Sequence, residues 1–582
     1  MQIEGHAADS DQDGGSCNVP RGICALLCVL ILVSGLFDHD LWTPDEPREA
    51  AIALEMSRGR DWLLPRLAGE PFVEKPPLYY AAAALVLRLC GQAGPEGEAW
   101  ARTACLRLTS FAWGLGALAA VWLLARRLGG RRHAALAAAA LGTMPGFVQV
   151  THWLLVDNAL VFFCAAAAWA FAEAYEGRRP WFLPAAGALA ASSFLAKGLV
   201  GPAIVGLGWL GLAIPWWLGK GWSGRRGAWI GAHLAAGLVF AGLAGGWMLA
   251  FRGRAGPDLF REWFVTNHFG RFAGRTANLG HISANPFEYF AILPLYVLPW
   301  LADIAAGLLE AWRRARTGGA SVWMPVIWAL GGLLLLSLSA TKREIYLAPL
   351  LPAWAMIAAR GMGGPAPRWV EAWRAGVALV CMSGLAIIGA ALLAAPLVPA
   401  LSSLMAVRAL SSASSGAAVS AAFALSILVW RSRAWNPLSR ALAIIALSYI
   451  LALSSLGPVL DRHKSYGPAF ASFGAKIERL SEARPADWGL DETTRAGLYY
   501  YCGMILPRIG AAAEAQAVLA GRHAGYGALV VCLKKSADGS WQGPQAVDGA
   551  QVLAEERMGR RRRLQALGPA ADGNRSSTRE GK

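Results

Sequence analysis

Charge is scarce in this sequence. Asp, Glu, Lys and Arg supply 16% of its 582 residues and apolar residues 55%, whereas a water-soluble chain of that length needs a far more polar surface. It belongs in a bilayer. Strand-like alternation is missing too: ALVFFCAAAAWAFAEAY and VIWALGGLLLLSLSA are apolar all round, which excludes a closed barrel, whose strands alternate over about ten residues. The nine cysteines contain no CxxC and no metal-ligand spacing, so they read as small apolar residues. Of these, Cys502 and Cys532 fall in a segment that reads as soluble, where one disulfide is open to them. The net charge of +16 is carried by short arginine clusters between apolar runs and not by a continuous face, so no nucleic-acid partner is expected.

What is present is a series of about thirteen apolar stretches, each near the roughly 20 residues that a crossing helix needs. The first, GICALLCVLILVSGLF, follows an acidic n-region and has no small-x-small cleavage site after it. It is read as an uncleaved span and not as a signal peptide. The others are expected near 104–125, 133–150, 158–175, 181–196, 199–219, 228–250, 287–308, 321–340, 344–360, 375–395, 415–430 and 440–457. Alternate short connections hold Arg126, Arg127, Arg131 and Arg132, then Arg178 and Arg179, then Lys220, Arg225 and Arg226, then Arg313, Arg314 and Arg316, then Arg431 and Arg433. Positive loops stay in the cytoplasm. The expected fold class is therefore an α-helical polytopic membrane protein with a small α/β domain at its end. Residues 1–21 are cytoplasmic, 22–457 form the transmembrane domain with exoplasmic loops 38–103 and 251–286, 458–555 form the exoplasmic domain, and 556–582 are a disordered basic tail lacking periodicity.

Acidic residues gather on the outer side: Asp45 and Glu46 after the first span, Glu74 beside Lys75, and Asp157 opening a later span. Span centres are nearly free of charge, which argues against a transporter with ionisable groups at the midplane. Each acid also has a plainer reading. Asp45, in TPDEPREAAIALEM, can cap a surface helix, and Asp157, in LLVDNALVFF, can cap a span. Lys75 can snorkel, although Pro76 forces it out of helical geometry and presents it on a fixed turn.

The string TPDEPREAAIALEMSRGRDWLLPRLAGEPFVEKPPLYY resembles the first exoplasmic loop of the lipid-A aminoarabinose transferases and the related protein mannosyltransferases. The Asp-Glu-Pro-Arg block lies at Asp45 to Arg48, the Asp-Trp-x-x-Pro-x-Leu block at Asp61 to Leu67, and the Glu-Lys-Pro-Pro block at Glu74 to Pro77. LLVDNAL at Asp157, AKGLVGP at Lys197, NHFGRF at His268 and Arg271, SATKREIYLAPLLPA at Lys342, Arg343 and Tyr346, and DRHKS at Asp461 are further matches. The Arg343-Glu344 pair departs from the family, where a less charged pair is expected.

The resemblance, over roughly 40–470, implies a C-superfamily glycosyltransferase of the inner membrane with its site on the periplasmic face. It takes a sugar from a polyprenyl-phosphate donor to lipid A or another envelope acceptor, with inversion at the sugar and membrane lipids around it. Lys75 holds phosphate with help from Arg48, Lys342 and Arg343, which neutralise its growing charge. Lys197, Arg271 and Tyr346 complete the substrate contacts. Asp45 is either general base or electrostatic partner of an oxocarbenium-like centre, with Asp157 and Glu74 in support. No cofactor is required, though Glu74 and His268 offer two ligands for a divalent cation. Protein or polysaccharide glycosylation with the same donor is the alternative, since the first-loop blocks read the carrier and not the acceptor. An oligosaccharyltransferase is disfavoured because Trp216 and Trp217 lack a following acid and sit at a cytoplasmic loop. A lipid or sugar flippase is the non-enzyme alternative.

Overall fold

The structure is a computed structural model and describes residues 21–42, 44–59, 61–94, 98–218, 226–275, 282–283, 285–314, 319–398, 409–536, 538–544 and 550–569. The expectations for 1–20, Lys220, Arg225, Arg316 and 570–582 lie outside the described residues. Eight helices lead: α1 Arg21–Val33, α2 Asp45–Arg58, α3 Leu78–Leu89, α4 Ala99–Gly142, α5 Pro145–His152, α6 Val156–Tyr175, α7 Phe182–Lys197 and α8 Val200–Leu218. Among the described residues nine helices are long and apolar enough to cross a bilayer, or ten if the pair Glu288–Val297 and Leu301–Arg313, bent by 108°, is one span. The chain is a multi-pass membrane protein.

The count differs from thirteen for physical reasons. α1 and α7 are apolar but short, with 13 and 16 residues. α4 holds most of two expected spans and is broken at Gly130, whose φ of +81° only glycine adopts easily, among the arginines of the first positive connection. The expected loop 251–286 is helical as far as Gly270, because Gly246–Arg261 passes through Gly256 and continues as a π-helical run, Glu262–Gly270.

A large apolar core joins α4, α6 and α8 to the segments around Trp300, Trp328 and Trp354. In a second cluster Ile52 and Leu54 of α2, Tyr79 and Tyr80 of α3 and Leu106 of α4 meet Tyr499 and Tyr500 of the tail. That packing seats α2 on the bundle, so the first loop is a built platform. A hairpin of β1 (Arg66–Leu67) and β2 (Glu70–Pro71) closes through Ala68 and Gly69, both at positive φ, the geometry of a two-residue turn. The Gly69 N–H donates to Glu55 of α2 at 3.1 Å.

The last span, Pro437–Lys464, runs beyond the expected boundary at 457 and carries Pro458 within it. After it come helices Gly467–Glu478 and Glu492–Cys502 and a five-stranded sheet. In that sheet β3 (Pro485–Asp487) pairs parallel with β4 (Ala528–Lys535), while β7 (Arg562–Gly568) lies antiparallel between β4 and β6 (Gln551–Met558), and β5 (Trp541–Gln542) joins the end of β4. Residues 556–569 are thus a correction: they are not disordered. Their arginine run conceals a strand in which Leu564 and Ala566 are buried while Arg562 and Arg563 lie at the rim. Cys502 and Cys532 are free thiols, and Cys502 Sγ donates to the Phe470 carbonyl at 3.2 Å.

Candidate active site

Pro44 precedes α2, whose first residue is Asp45, and no side chain caps the helix. The Asp45 carboxylate instead faces cations. Arg343 grips it with both guanidinium nitrogens, Nη2 to Oδ2 at 2.5 Å and Nη1 to Oδ1 at 3.2 Å, and Arg48 Nη2 donates to Oδ1 at 3.2 Å. Burial alone would raise its pKa. The Arg343 hydrogen bonds and charge, with Arg48 and Lys75, outweigh burial and hold Asp45 down at about 2. It is an anion at every physiological pH. The departure at Arg343 therefore supplies the strongest partner of the leading candidate.

The Pro76-Pro77 turn, which starts α3, fixes Glu74 and Lys75 beside α2. Lys75 Nζ donates to Glu49 Oε1 at 2.5 Å. Glu74 accepts from Arg271 at 2.8 Å and lies 3.9 Å from Arg48. Burial opposes ionisation of Glu74, but Arg48, Arg271 and Lys75 prevail and lower its pKa. Arg48 also reaches Glu492 of the tail at 3.1 Å.

Asp157 lies in the first turn of α6 without capping it. It forms a close ion pair with Lys197, whose ammonium sits 4.4 Å from the centre of the Tyr346 ring. Gly198, at φ +76°, ends α7 and aims Lys197, and a Cβ there would lie 2.1 Å from His268 Nε2. The charges of Arg271, Arg343, Asp157 and Lys75 all act on the Tyr346 phenol, which puts the Asp157–Lys197 pair near the Asp45 cluster.

Two expected residues are placed differently. The Lys342 ammonium is held by the carbonyls of Ser339 at 2.7 Å and Ser283 at 3.0 Å, so it braces the segment and is not aligned with the carboxylates. His268 Nδ1 faces the Trp263 carbonyl at 2.8 Å, and Glu74 is engaged by two arginines. That donor set does not fit a cation, because the adjoining guanidiniums would repel it. No group of three His, Cys, Asp or Glu side chains that could hold a metal occurs among the described residues.

Three contributors were not singled out from sequence as site residues. Glu49 is one turn along α2 from Asp45, a spacing that helical periodicity makes visible. Glu46 and Arg107 form a close, fully buried ion pair, which also takes hydrogen bonds from the backbone of Trp42 and Leu154. Its signal was an arginine inside an apolar stretch. Glu492, far along the chain, left no local signal at all.

With this geometry stand the relatives. The family model described as dolichyl-phosphate-mannose-protein mannosyltransferase matches residues 74–245. The chain is similar to the undecaprenyl phosphate-alpha-4-amino-4-deoxy-L-arabinose arabinosyl transferase of Pseudomonas aeruginosa (strain LESB58), 31% identical over 358 residues covering 58% of this chain and 59% of that protein. The same-named protein of Edwardsiella ictaluri (strain 93-146) is 28% identical over 345 residues, 58% of each chain. The match spans under two thirds of either relative's length. Among solved structures, ArnT from Cupriavidus metallidurans in the apo state superposes with a TM-score of 0.68 at 22% identity, covering 94% of this chain and 97% of that one. Its complex with undecaprenyl phosphate gives 0.67 at 21%, with the same coverage.

The chain shares the fold of these two ArnT structures.

Proposed function

We propose that this chain transfers a sugar from a polyprenyl-phosphate carrier to an acceptor outside the bacterial inner membrane. The sugar is an aminoarabinose-like pentose or a hexose, and the acceptor is lipid A or another envelope glycolipid on the periplasmic face. One observation carries the reading. Asp45, Glu74 and Asp157 come from separate segments of the chain yet gather in one ion-pair cluster with Arg48, Lys75, Lys197, Arg271 and Arg343. In this cluster the Nε–H donors of Arg48 and Arg271, like Glu49 Oε2, are buried without hydrogen-bond partners, and the guanidiniums suit a phosphate.

A glycosyl phosphate already carries a leaving group, so the protein has three tasks. Lys75, Arg48 and Arg271 neutralise the charge that grows on the phosphate as the C–O bond at the sugar breaks. Asp45, kept ionised by Arg343, faces the positive charge developing on the sugar and orients the acceptor. If the acceptor is a phosphate it is already ionised and needs no base. Attack from the face opposite the leaving phosphate inverts the anomeric carbon. The Asp157–Lys197 pair holds Tyr346 against the same cluster.

Purified chain in detergent, given radiolabelled polyprenyl-phosphate sugar, moves label to lipid A, and cells carrying the chain show a matching mass shift in lipid A. Label on total glycoprotein instead would replace the acceptor with protein. Absence of transfer to any acceptor, with movement of carrier across vesicles, would contradict an enzyme and leave a flippase.

A further inference from the structure

One carboxylate of the cluster comes from outside the membrane domain. Glu492 opens the tail helix Glu492–Cys502, and its Oε2 accepts from Arg48 Nη1 at 3.1 Å. Its side chain keeps 40% of its surface exposed, against 7% for Asp45, 1% for Glu49, 12% for Glu74 and 3% for Asp157. The helix does not depend on this contact. Asp491 caps it through the Thr494 N–H at 2.9 Å and is tied to the sheet by Arg562 at 2.9 Å and Lys534 at 3.0 Å. Thr493 Oγ1 reaches the Pro44 carbonyl at 3.3 Å and fixes the helix to the start of α2. The Glu492 side chain can therefore swing while its backbone stays in place.

Charge supplies the second argument. Arg48, Lys75, Lys197, Arg271 and Arg343 are matched one for one by Asp45, Glu49, Glu74, Asp157 and Glu492. A phosphate diester brings one further negative charge and the departing monoester up to two. Adding them to a balanced, partly desolvated cluster is costly unless an anion leaves it. Asp45, Glu49, Glu74 and Asp157 are enclosed. Glu492 is the carboxylate with solvent beside it.

Resting on the donor reading above, we infer that Glu492 is a displaceable stand-in for the donor phosphate. It holds the Arg48 guanidinium in position before the donor arrives, and yields Nη1 to a phosphate oxygen on binding. It is a positioning residue that sets carrier affinity from the tail domain.

The test is direct binding of undecaprenyl phosphate to the purified full-length chain, alongside thermal melting and steady-state transfer. Glu492→Gln should melt like wild type, bind about 3- to 10-fold more tightly and lower KM without raising kcat, because a competing charge-assisted contact at a partly exposed site is gone. Glu492→Asp, which keeps a shorter carboxylate, should fall between the two. Arg48→Gln should bind weakly, and adding Glu492→Gln to it should change nothing further. Weaker or unchanged binding in a normally melting Glu492→Gln, with wild type binding well, would overturn the stand-in and leave the donor reading intact. Failure of the wild-type chain to bind undecaprenyl phosphate would overturn both.

Discussion

Asp45 and Glu46 are neighbours in the chain, yet they belong to opposite kinds of ion pair. Glu46 turns into the bundle, where Arg107 and two backbone N–H groups satisfy it and both partners are essentially unexposed. Asp45 turns toward the ion-pair cluster, where Arg48 and Arg343 keep 16% and 17% of their side-chain surface open. A closed pair can only hold the fold together. An open one, with donors to spare, can exchange partners with a substrate. The difference between structural and functional charge here is access, and a shared sequence block does not predict it.

The deepest loss is expected on the closed side. Arg107→Ala leaves Glu46 buried and unpaired and should cost about 3–5 kcal/mol, seen as loss of folded protein in detergent by size exclusion. Wild-type yield and melting would remove Arg107 from its structural role. On the open side, Lys75→Ala should lower transfer roughly 30- to 1,000-fold through a lost phosphate contact of about 2–4 kcal/mol, while Lys75→Arg keeps part of it. Because Glu49, 1% exposed, also loses its nearer partner and keeps only Arg48 at 3.7 Å, binding of the carrier lipid must be measured beside melting. Donor use like wild type in Lys75→Ala would end the phosphate assignment.

Acid gives a smaller effect. The Asp45 pKa is lowered from 3.8 to about 2, so its contribution of about 2 kcal/mol is fully present above about pH 4 and is lost as pH falls through about 2. Asp45→Asn should flatten that part of the stability profile between pH 4 and 2, and an unchanged slope would show that Arg343 does not stabilise the anion. The smallest effect belongs to Lys342. Held by two carbonyls, Lys342→Met should lower melting slightly and reduce transfer only a few-fold, whereas a loss as deep as that of Lys75→Ala would return Lys342 to the phosphate.

Much of this molecule was legible because its signals are local. Apolar runs marked helical chain at every expected span, and the Glu-Lys-Pro-Pro block marked a fixed turn. What escaped was set by distant partners. The Arg343 fork closes on a residue 298 positions away, and Glu492 approaches Arg48 from a separate domain. Arg343 looked like a departure from the family until its partner was visible. The β7 strand was hidden because charge at its rim masks the alternation of Leu564 and Ala566, and α1 stops short of its apolar run where composition alone could not reveal it.

The carboxylate of Asp45 is expected to perform chemistry and not architecture. Asp45→Asn keeps size and removes only charge, and no cap is at stake because the side chain does not cap α2. Turnover of a defined polyprenyl-phosphate sugar by the purified variant, at neutral pH and with carrier binding checked in parallel, should fall about 100-fold or more while expression and carrier binding stay near wild type. Turnover close to wild type in that variant would contradict the account.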